Sequence, residues 1–257
     1  CILMGTMVVQ GRYWTWEKAA LLFCAVNLIY IPAAFMIHPP VGKILHGSLM
    51  PQLPPGGFTN ELFFLLMANI GTTIAPWMQF YIQSAVVEKG ITVKDYGYSK
   101  LDVILGCFMT NFIAIFIIVA CAATIHVHGI KIESAKEAAL ALGPLAGRWA
   151  QWLFALGLLN ASLFSASILP LATAYYVCEA FGFEAGINHS LKEAPVFYWL
   201  YTLIIVIGAG VILFPNVPLI LGMFWSPVVH GVLLPFVLIF LLILINNRDI
   251  MGDYVNT

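Results

Sequence analysis

Met67-Ala68-Asn69-Ile70-Gly71-Thr72-Thr73-Ile74-Ala75-Pro76-Trp77-Met78-Gln79-Phe80-Tyr81 lies in a stretch of 26 uncharged residues bracketed by Glu61 and Glu88. A helix crosses a hydrocarbon core of about 30 Å with about 20 residues, so this stretch exceeds one crossing. Gly71 and Pro76 fall near its middle, hence near the bilayer midplane. Glycine lowers helix propensity, and proline removes a backbone donor and clashes with the carbonyl four residues earlier, here that of Thr72. The carbonyls of about Gly71 to Ile74 are therefore expected to lose their helical partners. In hydrocarbon such groups are costly unless protein, water or an ion satisfies them. Two readings stand. One is a proline-kinked helix whose freed carbonyls are met by neighbouring Thr and Ser side chains. The other is a helix broken at residues 71–76, with carbonyls and hydroxyls that coordinate a hard cation.

The rest of the chain fits a membrane setting. Of 257 residues 61% are hydrophobic and 9% charged, and the mean hydropathy is +0.95. Soluble domains carry about 25% charged residues. That scarcity excludes a solvated globule and a disordered chain, and a net charge of −1 supplies no basic stripe for nucleic acid. Five cysteines without CxxC spacing suggest neither a disulfide framework nor a zinc site. Non-alternating runs such as Phe236 to Leu242 argue for helices over a β-barrel. Six runs reach spanning length, near 19–37, 60–87, 102–126, 149–179, 196–214 and 219–245. Residues 1–10 are apolar but lack a charged n-region and a cleavage site, and are expected to be the last turns of a helix that begins upstream. The whole chain reads as a single transmembrane domain, a fragment of a longer transporter-sized protein.

Lys and Arg in the connecting loops set the orientation. Arg12, Lys18, Lys89, Lys94, Lys100, Lys192 and Arg248 fall on one side, and Lys43, Lys131, Lys136 and Arg148 on the other. The positive-inside rule turns the first side to the cytoplasm. The Pro- and Gly-rich loop 38–58 and the loop 128–148 then face outward.

At Gly71-Thr72-Thr73-Ile74-Ala75-Pro76-Trp77 the sequence resembles the NRAMP family of divalent-metal transporters, whose sixth membrane helix carries Gly-Ala-Thr-Val-Met-Pro-His. It is most similar to the NRAMP-related magnesium transporter branch. The likeness continues through Gln83 to Gly90, Leu153 to Leu159, Leu169 to Tyr175, Gly231 to Pro235 and Asn247 to Gly252. The resemblance implies an all-α LeuT-type fold of two inverted five-helix repeats, with this chain running from the end of helix 4 through helix 10. Helices 1–3 are then missing, and with them the metal-binding Asp and Asn of helix 1. It implies an integral protein of the cell membrane that moves a divalent cation by alternating access, with the ion as substrate, the bilayer as surroundings, and neither cofactor nor catalytic residue.

Carried over by position, the Thr72 carbonyl is an ion ligand, with Thr73, Ala75 and Trp77 beside it. Ala75 stands where conventional members have a methionine thioether. Soft sulfur favours Mn²⁺ and Fe²⁺ and gives little to Mg²⁺, which sheds water reluctantly. The expected substrate is therefore Mg²⁺, with Mn²⁺ tolerated. The alternatives are a proton-coupled Mn²⁺/Fe²⁺ transporter of the conventional type and an amino-acid transporter of the same fold. Trp77 replaces the motif histidine and cannot carry a proton, so the family's proton route is not expected here. Its other reading is apolar packing with its N–H satisfied.

Gln79, Tyr81, Asn160 and His230 are further candidates for the ion pathway. Asn160 and Asn111 lie in apolar runs and are read first as links between helices. Gly157, Ala161 and Ser165 recur every four residues as a close-packing stripe. His230 sits between Pro227 and Pro235, where a neutral histidine bonded to a neighbouring helix competes with an ion ligand. His126 and His128 are expected at the outer interface, and Asp102 and Glu179 at solvated cytoplasmic helix ends. No His-Glu-x-x-His, Gly-x-Ser-x-Gly or paired acidic motif marks an enzyme within the spans, and no filter marks a channel.

Overall fold

Long apolar runs have one economical conformation in a bilayer, since a helix satisfies its own backbone. The computed structural model describes residues 13–38, 41–50, 53, 56–126, 129, 139, 147–214 and 217–256. It is nearly all helical there: α1 (Tyr13–Val26), a 3-10 turn (Asn27–Ile29), α2 (Tyr30–Phe35), α3 (Val41–Leu49), α4 (Asn60–Thr73), α5 (Pro76–Lys89), α6 (Tyr96–Cys121), α7 (Arg148–Phe181), α8 (Pro195–Leu213), α9 (Leu219–Ile245) and α10 (Arg248–Met251). Among the described residues, six helical stretches are long and apolar enough to cross a membrane: Tyr13–Phe35, Asn60–Lys89, Val93–Thr124, Arg148–Phe181, Pro195–Leu213 and Leu219–Ile245. The chain is thus an all-α polytopic membrane protein. The expected helix remnant at 1–10 lies outside the described residues.

The ends of the helices follow from local chemistry. Thr59 caps α4 by accepting the Leu62 N–H at 3.2 Å. Thr92 and Asp95 form a capping box ahead of α6. Gly182 closes α7 in the left-handed conformation (φ 74°), and Pro195 opens α8. The first span starts at Tyr13, before the apolar run at 19–37, and Glu17 within it pairs with Lys89 (Oε1–Nζ 2.6 Å).

The chain divides into two compact units, Cys1–Gln52 with Ser84–Pro215, and Leu53–Gln83 with Asn216–Thr257. In the first, Tyr30 packs edge-on to Phe154 (5.5 Å, 77°) over Gly157. A Cβ on Gly157 would come within 2.5 Å of the Tyr30 ring, so the small residue of the expected stripe seats an aromatic ring. Ala33, Ala34 and Ala120 are buried in the same unit, which lets the helices approach closely. Tyr175 meets Phe197 at 4.8 Å and 67° where α7 packs on α8.

In the second unit α4 packs along α9. The contact is backbone against backbone: a Cβ on Gly71 would overlap the Pro227 carbonyl and the Gly231 nitrogen, and one on Gly231 would overlap the Met67 carbonyl. Phe64 and Trp225 pack edge-on at 5.4 Å. Pro227 and Pro235 sit inside α9 and cannot donate to the carbonyls of Met223 and Gly231.

Candidate functional site

The break lies within the expected residues 71–76 and is confined to Ile74 and Ala75. Helix α4 stays regular through Thr73, and the chain leaves it at Ile74 (φ −127°, ψ 75°). The Ile74 N–H donates to the Ile70 carbonyl at 3.0 Å, and the Met78 N–H to the Ala75 carbonyl at 3.1 Å as α5 begins. Pro76 has no N–H for the Thr72 carbonyl. Among the described residues, the carbonyls of Gly71, Thr72 and Thr73 accept no hydrogen bond across the break. Gly71 is helical, and its smallness serves the crossing with α9.

The side chains at the break divide sharply. Thr72 and Thr73 are exposed, and the Thr73 hydroxyl donates back to the Asn69 carbonyl at 2.8 Å, leaving its lone pairs as acceptors. Ala75 is 2% exposed and Pro76 is buried. Trp77 and Gln79 are half-buried, and Tyr81 is buried one turn further on. The break thus offers neutral oxygens. Among the described residues, no group of three or more His, Cys, Asp and Glu could hold a metal ion.

Asn160 is 7% exposed and donates to the Phe23 carbonyl (2.8 Å) and to Asn27 Oδ1 (2.7 Å), fastening α7 to the end of α1 and its 3-10 turn. His230 is half-buried on α9 beside Gly231. Asn111 turns its amide to the Cys107 carbonyl of its own helix at 2.8 Å. Asp102 is exposed. Glu179 is exposed yet accepts the Ser84 hydroxyl at 2.7 Å. The side chains of His126 and His128 lie outside the described residues.

One polar network had no counterpart in the sequence reading. Glu88, in the last turn of α5, accepts the Tyr175 hydroxyl at 2.7 Å on Oε1 and the Asn188 amide on Oε2. Tyr175 in turn accepts the Ile187 N–H at 2.9 Å, and Asn188 Oδ1 accepts the Tyr13 N–H at 3.1 Å. Next to it, Lys89 pairs with Glu17 Oε1. The partners of Glu88 lie 87 and 100 residues away, which is why spacing gave no sign of them. The available signal was chemical: two adjacent charges, Glu88 and Lys89, where an apolar run ends.

Comparison with known proteins bears on the helical chain and its break. The chain is 24% identical over 278 residues to the divalent metal cation transporter MntH of Yersinia pestis (strain Pestoides F), covering 100% of this chain and 64% of that protein. It is 28% identical over 236 residues to the MntH of Chromohalobacter salexigens, covering 88% and 51%. For the MntH of Caldanaerobacter subterraneus subsp. tengcongensis the identity is 24% over 260 residues, covering 98% and 56%. The chain spans about half to two thirds of the length of these relatives. The family model described as natural resistance-associated macrophage protein-like matches residues 1–257, the full length of the chain, and the chain therefore belongs to the Nramp family.

Proposed function

We propose that the chain forms part of a secondary transporter that moves a divalent metal cation across a membrane by alternating access. The observation that carries this reading is the break at Ile74–Ala75 inside a helical stretch of spanning length, with carbonyls left free by Pro76. Unwound backbone at membrane depth is tolerated where it lines a cavity or binds an ion. Family membership and relatives named as divalent metal cation transporters support the same reading. The inverted-repeat arrangement and a site built from Thr72, Thr73, Ala75 and Trp77 belong to the proposal, as does a place in the cell membrane.

For the ion itself, family membership and relatives named as divalent metal cation transporters fit the conventional Mn²⁺/Fe²⁺ alternative at least as well as magnesium, and this is the reading we favour. Magnesium is the second reading. It rests on Ala75, which offers a buried methyl where conventional members place a soft sulfur. Calorimetric titration of the intact protein with Mn²⁺, Mg²⁺ and amino acids separates the possibilities. Saturable heat with Mn²⁺ is expected. Heat with an amino acid and none with either metal would replace metal transport by amino-acid transport.

A further inference from the structure

The second half of the broken helix is held at the end remote from the break. Ser84, Glu88 and Lys89 occupy the last two turns of α5, which continues without interruption from Pro76. Ser84 is 2% exposed and donates to Glu179 of α7. Glu88 binds Tyr175 of α7 and Asn188 of the following loop, and Lys89 pairs with Glu17 of α1. Tyr175 and Ile187 are each 2% exposed, so the network is shielded from water on that side. The count of Lys and Arg turns this end to the cytoplasm.

The chemistry at Glu88 admits a carboxylate and no near substitute. The Tyr175 oxygen accepts the Ile187 N–H, so its single proton goes to Glu88. Asn188 spends its Oδ1 on the Tyr13 N–H and can present only its amide hydrogens. Glu88 therefore faces two fixed donors, which a glutamine satisfies once and not twice. The loop is shaped for the same contact: Gly186 has φ +151°, and a Cβ there would overlap Glu88 Oε1.

We propose that Glu88 is a positioning residue for transport: its paired bonds to Tyr175 and Asn188 hold the second half of the broken helix in one arrangement, and the transport cycle breaks and remakes them. The inference rests on the transporter reading above, because alternating access requires such half-helices to move while a bound ion biases the equilibrium between arrangements. Cys178 supplies a native reporter. It is buried on α7 between Tyr175 and Glu179, so opening of the network exposes its thiol.

The test uses the intact protein with every cysteine other than Cys178 replaced by Ala, labelled by a small methanethiosulfonate reagent with and without Mn²⁺. Slow labelling of Cys178 is expected without metal, with a severalfold change when Mn²⁺ is added. Glu88→Gln should raise the metal-free rate about tenfold and abolish the response to Mn²⁺. Tyr175→Phe, which keeps the ring against Phe197, should do the same to a lesser degree and serves if Glu88→Gln fails to fold. A purely structural role leaves the Mn²⁺ response intact in both variants, and that result overturns the proposal. So does an unresponsive wild type at a Mn²⁺ concentration where calorimetry shows binding. Absence of both Mn²⁺ and Mg²⁺ binding would instead remove the metal-transport reading, and the positioning role with it, even if Glu88→Gln labels faster.

Discussion

Asn160 gives its amide hydrogens to the Phe23 carbonyl and to Asn27, so its polarity is spent on holding α7 to α1. Such links inside membranes are worth about 0.6–2 kcal/mol. Asn160→Ala should lower thermal stability in detergent by that amount and leave the KM for Mn²⁺ uptake unchanged. A raised KM at unchanged stability would place Asn160 on the ion instead. Ala75 presents the opposite case, a methyl at the break with almost no exposure. Ala75→Met adds a soft ligand and overfills the position, so we expect a destabilisation of about 1–3 kcal/mol. The ratio of Mn²⁺ to Mg²⁺ uptake should rise. An unchanged ratio would mean that this side chain never meets the ion.

At the scale of elements, the crossing of α4 and α9 is the contact that fixes the first half of the broken helix. Gly71→Ala would push a methyl into the Pro227 carbonyl and the Gly231 nitrogen, both backbone and unable to yield. A loss of at least 1–3 kcal/mol is expected in a detergent melt. Gly208→Ala in α8 meets nothing within 4 Å, and it should be neutral or mildly stabilising by helix propensity. The loop after α7 carries its own test. The Ser190 N–H donates to Glu193 at 2.6 Å and holds that exposed carboxyl below its ordinary value of 4.5. A lowered value means that the bond contributes above pH 4.5 and is lost as pH falls through the folded value. Hydrogen exchange at the Ser190 amide should therefore lose protection below pH 4.5, and Glu193→Gln should lose that pH dependence. These contacts also show what the sequence could disclose. Pro76 announced the break because a missing N–H belongs to one residue. Gly71 read as part of the break, while its close approach to α9 depends on Pro227 and Gly231, far along the chain. Asn160 signalled that a buried amide needs a partner, but only folding brings it to Phe23 and Asn27. Glu88 looked like the charged end of a span, since its two donors come from a distant helix and loop.

For the whole molecule, the scarcity of charge has a mechanistic meaning. Of the six described helical stretches of spanning length, Asn60–Lys89 is interrupted at Ile74–Ala75, where it offers an ion carbonyls and hydroxyls, and no described acidic cluster accompanies it. A divalent ion at the break would meet neutral oxygens among the described residues. Family membership and the break both support the proposed metal transport. The most direct test is uptake into proteoliposomes holding the intact protein, followed for Mn²⁺, Fe²⁺ and Mg²⁺ in parallel. Metal transport by this protein should give saturable Mn²⁺ uptake well above protein-free vesicles. Uptake of none of the three metals above that background would contradict it.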